Sequence, residues 1–293
     1  MYPGVFEYEA PQTRGEVLAI LAAEPDAKIL AGGQSLLPSM KQRLITPRLL
    51  VDIAQVADLA QIEDEGDTVT VGAMLTHADS AINEVLRKEV PMLARASSWV
   101  ADRQVRRRGT ICGALATADP TSDECCATLS LGGTLVAHSI EGVREIPADR
   151  FFIDGHKSAL EPHELLVAVR FPKRKSGEGW GYDKLGVRGG HSGWAVTGVA
   201  AWIQMDAGDI RMARLAISGA SHVTTLAQQA SQTLTGTDGS EAAIKEAARV
   251  AATEIECVED LNGSAAYKRQ LIQVYVRRAL TQAITSAQAT MRM

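Results

Sequence analysis

The chain has little cysteine and lacks the common metal-binding motifs. Its four cysteines are Cys112, Cys125, Cys126 and Cys257, and no two of them form a C-x-x-C pair. This spacing fits neither an iron–sulfur ferredoxin nor a zinc ribbon, and neighbouring cysteines rarely form a disulfide with each other. The six histidines make no i, i+4 pair, so there is no sequence signal for a metal site. We therefore expect buried, reduced thiols and no resident metal.

The sequence also lacks an excess of basic residues, a long apolar run and a secretory signal. Its net charge is −5 and its pI is near 5.7, values that do not favour nucleic acid as a partner. The longest apolar stretch, residues 194–203, is about half the ~20 residues that a membrane-spanning helix needs. Residues 1–7 contain neither the basic nor the apolar segment of a signal peptide. These absences predict a cytoplasmic protein with no transmembrane segment.

Motifs of several enzyme classes are missing as well. The sequence contains no Walker A motif and no G-x-S-x-G nucleophile elbow. Neither of its glycine-bearing loops has the G-x-G-x-x-G spacing of a nicotinamide-binding domain, and the glycines at 177, 179 and 181 lie in a flexible segment instead. Nucleotide triphosphate hydrolysis, serine-esterase chemistry and nicotinamide binding therefore have no support.

What is present is a mixed pattern of strands and helices in two parts. The chain has 293 residues, 46% of them hydrophobic, which is enough for two packed domains. Thr13 and Glu16 form a capping box that opens a helix running to about residue 23. The polar, glycine-bearing segment 172–179 is the best domain boundary. Beyond it we expect strands at 181–187, 196–205 and 210–218, followed by helices at 224–234, 240–254 and 265–287.

Two glycine-bearing loops carry most of the functional information. The first contains Gly32 and Gly33, and the second, about 80 residues later, contains Gly109 and Gly113. Glycine lets backbone N–H groups turn toward an anion without a Cβ in the way. Two such loops, each followed by hydroxyl-bearing residues, predict a diphosphate held from both sides. The alternative for either loop is a tight turn at the start of a helix.

Other candidate residues keep two interpretations each. Residues 119–123 form either a helix N-terminal cap or an acid that bonds sugar hydroxyls. Arg103, Arg106, Arg107 and Arg108 form either a solvated face or an electropositive rim. Lys184 and Arg188 share one face of an expected strand, which faces either solvent or an interdomain cleft. The four tryptophans are expected in the core.

These segments resemble a known family. Residues 31–41, A-G-G-Q-S-L-L-P-S-M-K, are similar to the first flavin loop of the medium subunits of molybdenum hydroxylases. Residues 104–120, Q-V-R-R-R-G-T-I-C-G-A-L-A-T-A-D-P, resemble the second flavin loop. Segments 164–169, 182–188 and 266–280 also match in order, so the resemblance covers essentially the whole chain.

The resemblance implies an α+β fold of two domains. Residues 1–176 would form the two-subdomain FAD-binding unit of the vanillyl-alcohol-oxidase type, with subdomains at about 1–54 and 55–176. Residues 177–293 would form a C-terminal flavoprotein domain, a small three-stranded sheet with helices. FAD would lie between the two domains.

The resemblance also implies which residues bind the cofactor. The first loop and the second loop would hold the diphosphate from opposite sides, Ser122 and Asp123 would reach the sugar and ribityl hydroxyls, Leu166 would pack at the adenine end and Lys184 would lie near the isoalloxazine ring. In full, the expected cofactor-binding residues are Leu30, Ala31, Gly32, Gly33, Gln34, Ser35, Leu36, Gly109, Thr110, Gly113, Ala114, Thr117, Ser122, Asp123, Leu166 and Lys184. No residue of the chain is expected to be catalytic. Cys112 and Ala114 depart from the usual glycine and asparagine of the family.

The function implied is that of the FAD subunit of a molybdenum-containing hydroxylase. Electrons would come from two [2Fe–2S] clusters in a small partner subunit, after substrate oxidation at the molybdopterin of a large partner subunit, and would leave for an external acceptor. The assembly expected is a dimer of heterotrimers. Two alternatives stay open: a stand-alone FAD-dependent oxidase or reductase, and an assembly subunit that has lost FAD.

Overall fold

The computed structural model describes residues 2–291 of the chain. The helices are α1 Arg14–Ala23, α2 Leu36–Lys41, α3 His77–Ile82, α4 Glu84–Glu89, α5 Pro91–Trp99, α6 Arg103–Arg106, α7 Ile111–Thr117, α8 Asp123–Leu131, α9 Gln228–Leu234, α10 Glu241–Glu254 and α11 Ala265–Met291, with single 3-10 turns at Ala57–Leu59 and Ala148–Arg150. The strands are β1 Glu7–Glu9, β2 Lys28–Leu30, β3 Leu49–Asp52, β4 Ile62–Glu65, β5 Thr68–Gly72, β6 Thr134–Ser139, β7 Gly142–Pro147, β8 Phe152–Asp154, β9 Lys157–Ser158, β10 Leu165–Pro172, β11 Glu178–Gly186, β12 Ala195–Asp206, β13 Asp209–Ser218 and β14 Thr225–Leu226. Over these residues no helix has the length and apolar character needed to cross a membrane.

The N-terminal region is a small parallel sheet packed beside a larger antiparallel one. Strands β1 and β2 both pair in parallel with β3, giving the order β1-β3-β2. Helix α1 connects β1 and β2, and its predicted capping box is present, because Thr13 Oγ1 accepts from the Glu16 amide while the Glu16 carboxylate accepts from the Thr13 amide. The larger sheet has the order β4-β5-β10-β6-β7, all antiparallel. Both glycine loops lie between these two sheets.

The C-terminal region is an antiparallel sheet covered by helices. Its three long strands, β11, β12 and β13, match the predicted ones, and β12 and β13 join at the predicted hairpin, where Asp206 pairs with Asp209. Ala207 and Gly208 have φ of 50° and 95°, the left-handed geometry of a two-residue hairpin turn. The two-residue strand β14 extends the sheet to four strands. It occupies the start of the segment 224–234 that was expected to be helical, so α9 begins only at Gln228.

Two hydrophobic cores support these regions, and β11 to β13 lie between them. The first core is centred on the five-stranded sheet and α8, and it also takes in Tyr182, Ala200 and Ala216 from one face of the C-terminal sheet. The second core fills the opposite face of that sheet with α9, α10 and α11. Because alternate residues of a strand point to opposite faces, one sheet serves both cores. The free cysteines are all buried, three of them in the first core and Cys257 in the second, as expected.

Candidate cofactor site

Three connected cavities run from the parallel sheet to the C-terminal sheet. The distal cavity, 540 Å³, lies against Leu166 and Ile53. The loop cavity, 100 Å³, lies between the two glycine loops. The junction cavity, 220 Å³, is lined by Asp123 and by residues of both domains. Ser35 and Thr117 line all three, so the cavities form one groove.

The first glycine loop offers backbone donors to this groove. It follows β2 and ends at Ser35, the N-cap of α2. Gly33 has φ of 71°, a left-handed conformation that strains any other residue here. Within residues 2–291, the N–H groups of Gly33, Gln34, Ser35 and Leu36 donate to no protein acceptor. Four unengaged amides on one loop suit an anion.

The second glycine loop opens helix α7. Thr110 is the N-cap, and its Oγ1 accepts from the Gly113 amide at 3.2 Å. A Cβ at Gly113 would lie 2.8 Å from that same oxygen, so a side chain at this position would push the capping hydroxyl aside. Cys112 packs inward, with 2% of its surface exposed, and burial raises the pKa of its thiol. The cysteine side chain therefore does not protrude between the loops.

The two loops touch at Gly32. A Cβ there would lie 2.1 Å from the carbonyl oxygen of Arg108 and 2.7 Å from Gly109 Cα, and both are backbone atoms. Glycine is needed at position 32 because the backbone of the second loop approaches so closely. Room for a phosphate, the role expected from the sequence, is the lesser reason. The close approach fixes the spacing of the two loops and hence the width of the loop cavity.

Asp123, which lines the junction cavity, belongs to a buried ion pair. Asp123, in the first turn of α8, accepts from Lys184 Nζ at 2.6 Å and from the Tyr182 hydroxyl. Burial raises the pKa of Asp123 to about 6, against the opposing effect of Lys184. The same burial raises the pKa of Tyr182 well above its usual value. The N-cap of α8 is Ser122, so the cap and the buried acid are neighbouring residues.

A second buried pair lies beside the first. His77 Nδ1 is 2.8 Å from Glu124 Oε1, and these side chains are only 5% and 2% exposed. The two atoms do not meet in well-directed hydrogen-bond geometry, so we treat the contact as an electrostatic one. Burial alone would raise the pKa of Glu124, but His77 holds it below its ordinary value. Two adjacent acids of α8 thus have separate basic partners.

Most of the predicted site residues converge on the groove. Those that line a cavity are Ala31, Gly32, Gly33, Gln34, Ser35, Leu36, Gly109, Thr110, Gly113, Ala114, Thr117, Ser122, Asp123 and Leu166. Leu30 and Lys184 do not. Leu30 packs under the first loop, where a Cβ at Gly33 would meet its Cδ1 at 3.1 Å. Whether these residues contact a cofactor stays a prediction.

Lys184 lies close to the junction cavity but is enclosed by protein groups, and its expected position near the flavin ring stays a prediction. Its side chain is fully buried, and Nζ donates to Asp123, to the Trp99 carbonyl at 3.2 Å and to the Gly193 carbonyl at 2.8 Å. All three ammonium donors are therefore engaged by protein groups. Two of its acceptors, Asp123 and Gly193, line the junction cavity, so Lys184 holds two lining residues in place. Strand β11 ends at Gly186, so Arg188 lies in the following loop and lines the cavity.

Several lining residues were missed by the sequence analysis. His77 lines both the loop and junction cavities, and its position directly after the predicted helix cap Thr76 is the only local signal. Trp194 was expected in the core but is 68% exposed and lines the junction cavity. His156 and Glu164 line the distal cavity. These residues reach the groove through long-range packing, which short sequence motifs do not encode.

The groove fits the FAD that the resemblance implies. A dinucleotide needs an apolar slot for a planar base, donors for a diphosphate and polar groups for sugar hydroxyls. The distal cavity provides Ile53 and Leu166, the loop cavity lies beside the unengaged N–H groups, and the junction cavity carries Ser122 and Asp123. The donor set and the order of the three cavities therefore match the order of the parts of FAD.

Comparison with known protein families gives matches along most of the chain. Residues 4–174 match the FAD binding domain in molybdopterin dehydrogenase. Residues 184–283 match the CO dehydrogenase flavoprotein C-terminal domain.

Individual proteins are similar over nearly their full length. The carbon monoxide dehydrogenase medium chain of Hydrogenophaga pseudoflava is 36% identical, over 97% of this chain and 98% of its own. The 6-hydroxypseudooxynicotine dehydrogenase complex subunit alpha of Paenarthrobacter nicotinovorans is 34% identical, over 99% and 98%. A solved structure of carbon monoxide dehydrogenase from Hydrogenophaga pseudoflava superposes with a TM-score of 0.94 at 37% identity, covering 98% of this chain and 99% of that one.

Proposed function

Because this chain belongs to the FAD-carrying medium subunits of the molybdenum hydroxylase family, we propose that it carries electrons from [2Fe–2S] clusters of a partner subunit to an external acceptor. The large molybdopterin subunit would oxidise the substrate, and the complex would be a cytoplasmic dimer of heterotrimers. The substrate stays open, since the two relatives named above act on unlike molecules according to their names.

The observation that carries this proposal is the surface around the junction cavity. Val100, Ala101, Asp102 and Val105 line the cavity and directly adjoin the arginine run 103–108. Of those arginines, only Arg106 is turned inward, donating to the carbonyls of Val100 and Ala101. A chain of net charge −5 thus has a local positive rim where the flavin ring would lie, and such a rim favours docking of an acidic electron-transfer partner.

The arrangement of the thiols supports an electron donor in another chain. Cys112, Cys125 and Cys126 are buried in the first core and Cys257 in the second, so four thiolates do not converge on one point. An iron–sulfur cluster requires such convergence. The clusters are therefore assigned to a partner.

The residues of this chain would hold the cofactor and set its surroundings. FAD, when bound, supplies a redox centre that accepts and releases electrons. The amides of residues 33–36 would bind its diphosphate, Ser122 and Asp123 would orient its hydroxyls, and Lys184 would fix Asp123 in place. Domains divided near residue 176 would enclose the cofactor between them.

The test reverses charge in the rim. Arg103→Glu with Arg107→Glu should slow flavin reduction by substrate in the assembled enzyme, and raised salt should slow the wild type in the same way. Reduction of the isolated chain by dithionite should not change. A matched control reverses Lys245 and Arg269, two exposed cations of the C-terminal helical region, and should leave the rate unchanged.

Other outcomes would favour the alternatives. If the isolated chain oxidised an organic substrate with oxygen at a useful rate, it would be a stand-alone oxidase. If it purified without flavin absorbance and did not bind added FAD, the assembly-subunit hypothesis would replace ours. Co-purification with a molybdopterin-containing chain and a cysteine-rich small chain would support the proposal.

A further inference from the structure

His77 has an unused nitrogen where the two glycine loops meet. The residue is 4% exposed, yet it lines both the loop and the junction cavity. Nδ1 lies 2.8 Å from Glu124 Oε1, while Nε2 has no hydrogen-bond partner within the described residues and, unlike Nδ1, is not sealed inside the protein. Because His77 lines both cavities, Nε2 is available to a ligand held between the loops.

The backbone fixes the orientation of the imidazole. The His77 amide donates to the Gly109 carbonyl at 3.0 Å, which ties the start of α3 to the second loop. A Cβ at Gly109 would lie 2.8 Å from His77 Cδ2 and 2.9 Å from Nε2. The edge of the ring that carries Nε2 therefore faces the loop, and only glycine at position 109 leaves room for it.

The hydrogen-bonding groups around the loop cavity select the ligand chemistry. The Nε2 edge of the His77 ring can donate a hydrogen bond to an anion in this cavity. The unengaged amides of residues 33–36 line the same loop cavity, so the anion held there would meet donors from both sides.

We propose that His77 is a further cofactor-binding residue, which donates from Nε2 to the diphosphate of FAD, and that Glu124 is its positioning residue. The inference rests on the function proposed above. It assigns the buried His77–Glu124 pair to ligand binding rather than to stability alone.

The test compares ligands that share parts of FAD. The deflavinated full chain is titrated with FAD, with ADP, which has a diphosphate and no flavin, and with riboflavin, which has no phosphate. For His77→Gln, affinity for FAD and ADP should fall about tenfold to a hundredfold, the equivalent of one hydrogen bond to a charged group. Riboflavin affinity should not change. Glu124→Gln should show the same selectivity.

A control and a second measurement keep the test decisive. Ser80→Ala removes another buried polar group of α3, bonded to Ser97 at 3.0 Å, and should lower the melting temperature without changing ligand selectivity. Equal affinity of His77→Gln and wild type for ADP, or an equal loss for riboflavin, would overturn the inference. If the variants do not fold, ¹⁵N-histidine NMR of the wild type decides, because an Nε2 resonance that does not shift on ADP binding would also overturn it.

The titrations distinguish failure of the proposed function from failure of the inference about His77. If the wild type binds neither FAD nor ADP, the function proposed above is wrong and this inference falls with it. If the wild type binds both tightly and His77→Gln binds them equally well, only the role of His77 is wrong.

Discussion

Because the two loops are in contact at Gly32, we predict that Gly32→Ala lowers the affinity for FAD strongly, although it adds only one methyl group. The added methyl carbon would lie 2.1 Å from the Arg108 carbonyl oxygen and 2.7 Å from Gly109 Cα. Ordinary contacts of this kind are about 3.5 Å, so the loops must separate by more than about 1 Å. Neither atom belongs to a flexible side chain, and the shift must therefore move backbone.

The expected magnitude follows from that displacement. Overpacking a tight contact typically costs about 1–3 kcal/mol of stability. If the second loop moves away from the diphosphate, one or more hydrogen bonds to a charged group are also lost, at about 1.5–3 kcal/mol each. FAD affinity should therefore fall by at least about tenfold, while secondary structure is retained.

Reconstitution of the apo-chain with FAD, followed by flavin fluorescence, measures this affinity, and circular dichroism measures folding and melting. Gly15→Ala is the matched control, because it lies in α1 and its Cβ would meet no atom within 4 Å. That variant should melt slightly higher, since alanine is favoured over glycine in a helix by about 1 kcal/mol, and should bind FAD normally. Wild-type FAD affinity in Gly32→Ala would refute the idea that the loop contact sets the width of the site.

Three further outcomes are expected. Gly33→Val should lower the flavin content of purified protein, because a φ of 71° costs a residue with a side chain about 1–2 kcal/mol. For Asp123, a pKa raised from 3.8 to about 6 means that the folded state binds the extra proton between those values. Wild-type stability should therefore fall relative to Asp123→Asn as pH rises from about 4 to 6, by about 3 kcal/mol in chemical denaturation; an unchanging difference would contradict the raised pKa. Lys184→Met should lower the free energy of unfolding by about 3–5 kcal/mol, because it leaves a buried carboxylate without its cation, and Lys184→Met with Asp123→Leu should recover much of that loss.

The fold could be predicted from the sequence where helices and strands are marked by nearby residues, such as helix caps and turns. The capping box at Thr13 and the helix cap expected within residues 119–123 are both present, since both depend on residues a few positions apart. The three long C-terminal strands were also found, because their apolar runs end at polar turns. Strand β1 was missed because its three residues are exposed and two of them are acidic, and only pairing with β3 makes them a strand.

The candidate site shows the same difference between features set by local sequence and features set by long-range packing. The glycine loops were recognisable because a loop motif is local, and they do converge in the structure. The partnership of His77 with Glu124 joins residues 47 positions apart, and no motif connects them. The sequence analysis expects Lys184 near the flavin ring, and that position stays a prediction; its burial behind Asp123 depends on carbonyls from Trp99 and Gly193. Which way a long side chain points is a matter of packing.

The two acids at the start of α8 explain why the groove needs both domains. Asp123 receives its cation from β11 of the C-terminal sheet, whereas Glu124 receives His77 from the N-terminal region. Burying two adjacent carboxylates without these partners would be strongly unfavourable. The first turn of α8 can therefore take this buried position only when the C-terminal sheet is packed against it. The Asp123–Lys184 ion pair therefore joins α8 to the C-terminal sheet beside the junction cavity, so we expect the shape of the cavity, and the cofactor environment within it, to change when this contact is broken.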